Sequence, residues 1–231
     1  MKCIRKISML LFMLALPFAL YSSGWYVGIE GGYSYNLVHA DSGWLNTSDE
    51  NGHGFEFAVP VEYKVTDHFS VSSGIRYIMK ASEYTKTVEE DSAYYIIDDI
   101  TKMHHFLEIP LTLRFSEGND FVRGFVGVGG YVGVRLFDVD SGRSATQTIG
   151  GNDSMVYHDY TEIIPFSGND NLFDAGLLGE AGISFSFDDI GYLYLMGRYQ
   201  YALTSLSKDY RMAYHTYIDN VSAVVGFMFE L

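Results

Sequence analysis

Histidine and carboxylate side chains are the groups in this sequence that could perform acid–base or metal chemistry. The histidines in or beside polar segments are His39, His53, His104, His105, His158 and His215, and His68 lies in a short turn. The densest group is His104–His105 beside Asp98 and Asp99. Neighbouring residues of a strand point to opposite faces, so a metal here would need a ligand from another segment. No serine, histidine and acid have a spacing that indicates a hydrolase. We therefore expect solvent-exposed histidines and no catalytic, cofactor-binding or metal-binding residue.

A second set of charged residues recurs at the spacing of a β-strand, in which alternate side chains lie on one face. The members of this set are Glu30, Glu56, Glu62, Arg76, Glu108, Arg114, Arg123, Arg135, Asp174, Glu180 and Arg198. Their positive and negative charges nearly cancel. If the strands enclose a narrow interior, these charges must pair, because an unpaired buried charge is strongly destabilising.

The elements that carry these charges are strands with one apolar and one polar face. In the segment 25–37, the odd-numbered residues from Trp25 to Leu37 are largely apolar, and the even-numbered residues include Glu30, Ser34 and Asn36. The same pattern recurs at 54–65, 69–80, 105–115, 121–136, 172–187, 192–203 and 217–231. Because no helical pattern separates these segments, the sequence predicts an all-β fold, an eight-stranded antiparallel barrel.

The connections between the predicted strands alternate in length. Short turns cover 66–68, 116–120 and 188–191, whereas long connections cover 38–53, 81–104, 137–171 and 205–216. Short turns at one end and long loops at the other are typical of transmembrane barrels of the bacterial outer membrane. An even number of strands also places both termini at the short-turn end, the periplasmic side. We call the opposite end the outer end.

The N-terminal residues have the features of a secretory signal peptide. Lys2, Arg5 and Lys6 precede an apolar stretch at 7–20, and small residues stand just before Trp25. The apolar stretch is too short to span a bilayer comfortably. We therefore predict a signal peptide at 1–24, removed on export, and one barrel domain at 25–231. Cys3 is the only cysteine, so the exported chain would have no disulfide and no thiolate ligand.

Aromatic residues on the apolar face form two bands around an aliphatic middle. The band near the short turns contains Trp25, Tyr63, Phe69, Phe115, Phe187 and Phe229, and the band near the outer end contains Tyr35, Phe55, Tyr77, Phe173, Tyr199 and Tyr201. Such bands match the two interfaces of a bilayer. We therefore expect the apolar face to contact lipid. The alternative is a soluble, lipocalin-like barrel with its apolar face inside.

The polar face then lines the barrel interior. An eight-stranded barrel encloses a space that side chains can just fill. We expect the charged set to form a salt-bridged plug in this space. A charged path for ions or protons is the alternative.

Several stretches resemble the PorT-like outer-membrane barrel family of Bacteroidetes-type bacteria. Residues 106–111, FLEIPL, are similar to its aromatic-Leu-Glu-Ile-Pro-Leu strand, and 69–77, FSVSSGIRY, to its hairpin return. Arg198–Tyr199 with Leu203 resembles its penultimate strand, although Ala202 replaces the usual glycine. Many outer-membrane barrels end on phenylalanine, whereas Glu230 and Leu231 follow Phe229 here. The resemblance implies location and architecture, and for some members a link to protein secretion, but no catalytic residues.

The long connections are acidic. They contain Glu83, Glu89, Glu90, Asp91, Asp98, Asp99, Asp138, Asp140, Asp153, Asp159, Glu162 and Asp170, and the whole chain has a formal net charge of -14. This charge argues against nucleic acid as a partner, because binding there depends on neutralising phosphates. Such carboxylates are usually a solvated surface. They could instead bind divalent cations that bridge lipopolysaccharide.

Taken together, the sequence predicts a monomeric, non-enzymatic protein that contacts outer-membrane lipid and lipopolysaccharide. Its structural or interaction role would use the acidic outer loops, with a protein partner and an association with secretion among the options. Two other functions stay open. One is an outer-membrane enzyme that acts on lipid or peptide, and the other is a narrow channel.

Overall fold

The computed structural model describes residues 24–40, 48–90, 94–148, 155–187, 190–208 and 215–231. Except for Gly24, the predicted signal peptide lies outside these residues, and so does Cys3. The acidic residues Asp91 and Asp153 also lie outside them. Among the described residues, no helix has the length and the apolar character needed to cross a membrane.

Nine β-strands make up the described part of the chain. They are β1 (Trp25–Ala40), β2 (Ser48–Lys64), β3 (Phe69–Glu90), β4 (Tyr94–Gly118), β5 (Val122–Thr148), β6 (Met155–Ile164), β7 (Phe173–Phe187), β8 (Gly191–Ala202) and β9 (Thr216–Glu230). Around the barrel the order is β1, β2, β3, β4, β5, β7, β8, β9 and back to β1, with every pair antiparallel. The predicted closed barrel of eight antiparallel strands is confirmed.

Burial alternates along the strands as the sequence pattern predicts. On β8, Tyr194 and Gln200 are fully buried, whereas Leu195 is 52 % exposed and Tyr199 is 43 % exposed. The polar parity therefore faces the interior and the apolar parity faces outward. Register enforces this arrangement, since a slip by one residue would move every side chain of a strand to the other face.

Two segments that the sequence predicted as long loops are largely strand. β3 and β4 continue past the barrel wall and pair out to Glu90↔Tyr94, and β5 pairs with β4 out to Tyr94↔Thr148. β6, which the sequence pattern does not predict, pairs with the same part of β5. The predictions of loops at 81–104 and 137–171 are therefore wrong. Apolar and polar residues do not alternate regularly here, as in YYIIDDI at 94–100, so the period-two signal disappears although the strands continue.

Glycines give the interior aromatic rings their space. A Cβ atom on Gly226 would overlap the ring of Tyr194, and a Cβ atom on Gly176 would overlap the ring of Tyr131. Both tyrosines are almost completely buried. Pairing of small with large residues is how a narrow barrel interior reaches close packing. Gly179 lies on the outward face of β7, where a Cβ atom would have no neighbour within 4 Å.

Gly226→Ala should destabilise the protein by about 1–3 kcal/mol, because the new methyl group would force Tyr194 out of its packed position. The measurement is urea-induced unfolding of the folded barrel. Gly179→Ala is the matched control, since the same substitution meets open space there and should leave the stability equal or higher. Equal midpoints for the two variants would contradict this packing of Tyr194.

Candidate functional site

A continuous chain of ion pairs runs along the barrel interior. In order from the short-turn end to the outer end, its members are Glu62, Arg114, Glu180, Arg198, Glu30, Glu56, Arg76, Glu108, Lys80 and Asp174. None of these residues is more than 6 % exposed. We call this set the interior ion chain. It connects side chains from six of the eight barrel strands, since β5 and β9 contribute no member.

Arg198 of β8 is the centre of the interior ion chain. Its Nη2 atom donates to Glu30 Oε1 at 2.9 Å, and its Nη1 atom donates to Glu56 Oε1 at 2.6 Å. Its Nε atom lies 3.6 Å from Glu180 Oε2. The planar guanidinium group presents its donors in a fixed fork, so one arginine can hold three carboxylates from different strands.

Arg114 extends the chain toward the short-turn end. Its Nη1 atom donates to Glu62 Oε2 at 2.7 Å, and its Nε atom donates to Glu180. The guanidinium carbon also lies 5.3 Å from the centre of the Phe125 ring. Glu180 thus joins Arg114 to Arg198.

Arg76 and Lys80 extend the chain toward the outer end. Arg76 Nη2 donates to Glu108 Oε2 at 2.6 Å, and Arg76 Nη1 lies 3.8 Å from Glu56 Oε2. Lys80 Nζ lies 3.2 Å from Glu108 Oε1 and 2.7 Å from Asp174 Oδ2. Alternation places Lys80 on the polar face, but the predicted set of charged residues did not include it.

The six carboxylates outnumber the four cations of the interior ion chain, and neutral groups supply further hydrogen bonds. Tyr194 donates its hydroxyl hydrogen to Glu30 Oε2 at 2.6 Å. Gln200 Nε2 donates to Glu108 Oε2 at 3.0 Å, and Thr204 Oγ1 donates to Asp174 Oδ1 at 2.8 Å. These hydrogen bonds offset part of the free-energy cost of burying the charges.

Little free space remains beside the centre of the chain. A cavity bordered by Glu30, Thr112, Glu180 and Arg198 has a volume of about 10 Å³. That is roughly the smallest space that holds one water molecule. Ionic side chains and aromatic rings therefore fill this part of the barrel.

Two predicted members of the charged set lie outside the interior ion chain. Arg123 stands at the short-turn end, where its Nη1 atom donates to the backbone oxygen of Asp67 at 2.6 Å. The prediction that Arg123 belongs to the interior network is therefore wrong, because its side chain bends toward the turns. Arg135 is buried but pairs with Asp138 and His104 in a separate cluster at the outer end. It is linked to none of the chain members by a hydrogen bond or ion pair among the described residues.

The aromatic residues of both predicted bands lie on the outward face. Phe69 is 55 % exposed and Phe173 is 51 % exposed. Trp25, Tyr63 and Tyr77 are partly covered by neighbours on the same face, as in the Trp25–Tyr63 pair with ring centres 4.9 Å apart. The other members are exposed: Tyr35, Phe55, Phe115, Phe187, Tyr199, Tyr201 and Phe229.

The two imidazoles of His104–His105 diverge, as expected for adjacent strand residues. His104 points inward, with Nδ1 accepting from Arg135 Nη2 at 2.8 Å. His105 points outward and stacks on Phe137 with ring centres 4.3 Å apart. Both are at least nine-tenths buried, so the expectation that they are solvent-exposed is wrong. Among the described residues, no three His, Cys, Asp or Glu side chains could hold a metal ion together.

Beyond the outer aromatic band, β3, β4 and β5 continue and are joined by β6. We call this part, residues 81–90, 94–105, 137–148 and 155–164, the projecting sheet. On its outward face a groove of about 720 Å³ runs across all four strands. Its lining includes Glu83, Asp99, Ser141, Asp159 and Thr161.

One exposed ion pair lies on the same face of the projecting sheet. Arg143 Nε donates to Asp159 Oδ1 at 2.6 Å, which joins β5 to β6. This hydrogen bond holds the pKa of the Asp159 carboxyl below its ordinary value. Asp159 therefore keeps its charge, and Arg143 compensates that charge locally. For Glu89, Glu90 and Asp98, the side chains lie outside the described part of the chain.

Residues 17–208 match the family described as outer membrane protein beta-barrel domain. The chain belongs to this family. The match covers most of the barrel and ends before β9, which closes the barrel in the structure. Family membership places the protein in the outer membrane, and the exposed apolar face between the two aromatic bands is the surface that contacts lipid.

Among solved structures, the chain is similar to Neisserial surface protein A and to the outer membrane protein OprG from Pseudomonas aeruginosa. The first is 14% identical, with 90% of this chain and 98% of that chain covered and a TM-score of 0.47. The second is 13% identical, with 90% and 97% covered and a TM-score of 0.48. Among proteins with curated descriptions, none matches this chain significantly.

Arg198→Leu should destabilise the barrel by about 3–5 kcal/mol, because Glu30, Glu56 and Glu180 would lose their shared cation while remaining buried. Urea-induced unfolding in lipid vesicles measures this effect. Arg143→Leu is the control, since it breaks an ion pair that is open to solvent and should leave the unfolding midpoint unchanged. A small effect of Arg198→Leu would show that the interior carboxylates do not depend on it.

Proposed function

We propose that the protein is a non-enzymatic outer-membrane barrel that holds a projecting sheet as a binding surface outside the cell. The observation that carries this proposal is the length of β4, which pairs with β5 from Gly118↔Arg123 to Tyr94↔Thr148. A strand that only crosses the membrane needs about 9–11 residues. β4 has 25 residues, and about half of it, from Tyr94 to His105, lies in the projecting sheet.

The filled interior supports an anchoring role for the barrel. The interior ion chain occupies the space through which a solute would pass, and the cavity beside Arg198 is only about 10 Å³. Three of the described histidines have different partners. His53 contacts Tyr33, His104 contacts Arg135 and Asp138, and His105 contacts Phe137 on the opposite face. This distribution favours a binding protein over a hydrolase, which would gather a nucleophile, a base and an acid at one place.

Finer features of this role stay predictions. The groove lined by Glu83, Asp99 and Asp159 offers carboxylate oxygens, which suit divalent cations that bridge lipopolysaccharide. Five other features are also predictions. They are a protein partner at the outer surface, a monomeric state, cleavage of the signal peptide, membership of the PorT-like family and an association with secretion.

Removal of the projecting sheet tests the proposal. In the trimmed variant, Glu83 is joined to Thr101 and Asp140 is joined to Glu162, each through an Asn-Gly turn. Both pairs stand directly opposite each other on neighbouring strands, so a two-residue hairpin turn connects them without disturbing the barrel. A matched control exchanges Asp67 and His68 of a short turn for Asn and Gly.

Fluorescent vesicles that carry each variant are incubated with intact bacterial cells and with vesicles that carry the full protein. We expect the trimmed variant to keep the heat-dependent gel mobility of a folded barrel and to lose at least tenfold in adhesion. The turn variant should adhere like the unaltered protein. Undiminished adhesion of a folded trimmed variant would contradict a binding role for the projecting sheet.

A further inference from the structure

The free edge of β6 is the least protected part of the projecting sheet. Among the described strands, β6 pairs only with β5, in unbroken register from Asp138↔Ile164 to Gln147↔Met155. β6 contains no proline, no lysine and no bulge, which are three of the devices that stop an edge from pairing with another strand, and its carboxylates are Asp159 and Glu162. Its backbone donors and acceptors can therefore accept an added strand.

Among the described residues, only irregular segments follow β7 and β8 at the outer end, joined by the bridge Asp170↔Ser207. Below the projecting sheet, β5 pairs with β7, whose first residue is Phe173. β8 ends at Ala202. Above these two strands, no described strand continues upward beside β6.

A second copy of β6 fits the edge by symmetry. A two-fold axis perpendicular to the sheet makes two β6 strands antiparallel and keeps the outward face of each copy on the same side. Residues that stand directly opposite then share a face, so the axis lies midway between the two copies of one residue. With the axis at Tyr160, His158 stands opposite Glu162, and Asp159 stands opposite Thr161.

Charge selects this register among its neighbours. An axis at Asp159 would place two Asp159 carboxylates directly opposite each other, and an axis at Glu162 would do the same with Glu162. Like charges directly opposite each other on a sheet are destabilising. An axis at Thr161 would place Asp159 against Ile163. Of these four positions, only the axis at Tyr160 places an imidazole, that of His158, opposite a carboxylate, that of Glu162.

The same register also covers exposed apolar surface. Tyr157 is 59 % exposed and Ile163 is 73 % exposed on the outward face of β6. With the axis at Tyr160, Tyr157 of each copy stands opposite Ile163 of the other, so this aromatic–aliphatic pair occurs twice. Aromatic and β-branched side chains are a favourable cross-strand combination. Asp159 remains bound to Arg143 of its own chain and needs no partner in the second copy.

We propose that β6 pairs antiparallel with β6 of a second copy, centred on Tyr160, and that the two copies are anchored in facing membranes. The opposite strand directions place the two barrels at opposite ends of the shared sheet, so neighbours in one membrane cannot form this pair. The proposal rests on the proposed function, because it names the partner of the projecting sheet. Because the two copies lie in different membranes, the protein can still be a monomer within each membrane.

Cysteine cross-linking between two vesicle populations tests the pairing. All variants carry Cys3→Ser, and the two populations carry chains of different size, so a mixed-size dimer reports contact between vesicles. Directly opposite residues of antiparallel strands have Cα atoms about 4.5–5.5 Å apart, within the range that a disulfide bridges. Copper–phenanthroline serves as the oxidant.

We expect Tyr160→Cys in both populations to give mixed-size dimers. Ile163→Cys in both populations should give at least tenfold fewer, because Ile163 stands opposite Tyr157. Ile163→Cys in one population with Tyr157→Cys in the other should restore the dimers. Random collision of exposed thiols would not favour position 160 with itself and position 163 with position 157, so this pattern identifies the register.

A charge exchange provides an independent readout in the same vesicles. His158→Glu should weaken clustering of the vesicles, because two carboxylates would then stand opposite each other. His158→Glu combined with Glu162→Lys should restore it.

Equal cross-linking at positions 160 and 163, or dimers formed only within one population, would overturn the pairing. If adhesion to cells still depends on the projecting sheet in that case, the proposed function stands without it; if the trimmed variant adheres fully, both fail.

Discussion

The contact of Arg198 with Glu30, Glu56 and Glu180 is the interaction on which the rest of this barrel depends. Eight strands enclose a space too narrow for hydrated ions and wide enough for side chains. Charges in that space are stable only when strands bring opposite charges together. The interior ion chain therefore fixes the relative register of the strands that carry it, because a slip would turn these carboxylates toward lipid.

The two faces of each strand divide the remaining tasks. The outward face contributes aliphatic residues between aromatic bands, which suits a bilayer. The inward face fills the interior, so the barrel acts as a rigid base. Strands β3, β4 and β5 continue from this base, and β6 is added where β5 leaves β7. The projecting sheet thus obtains a fixed orientation from hydrogen bonds that begin inside the membrane.

Alternation of polarity was sufficient to predict the barrel, the face that lines its interior and most of the interior charges. It could not decide how far a side chain reaches along the barrel axis. Arg123 and Lys80 have the same parity signal, yet Arg123 turns to the Asp67 carbonyl and Lys80 reaches Glu108 and Asp174. The bulge at Leu136, which lets Phe106 pair with Arg135, also leaves no mark in the pattern. β6 was missed because water on both faces removes the selection for alternation.

Planar-bilayer conductance of the purified protein tests whether the paired side chains close the barrel interior. We expect no steady current for the unaltered protein across a wide range of voltage and salt. A defined single-channel current that changes in selectivity with Glu108→Gln or Arg76→Gln would contradict it, and would show that the interior charges line a path instead of filling the barrel.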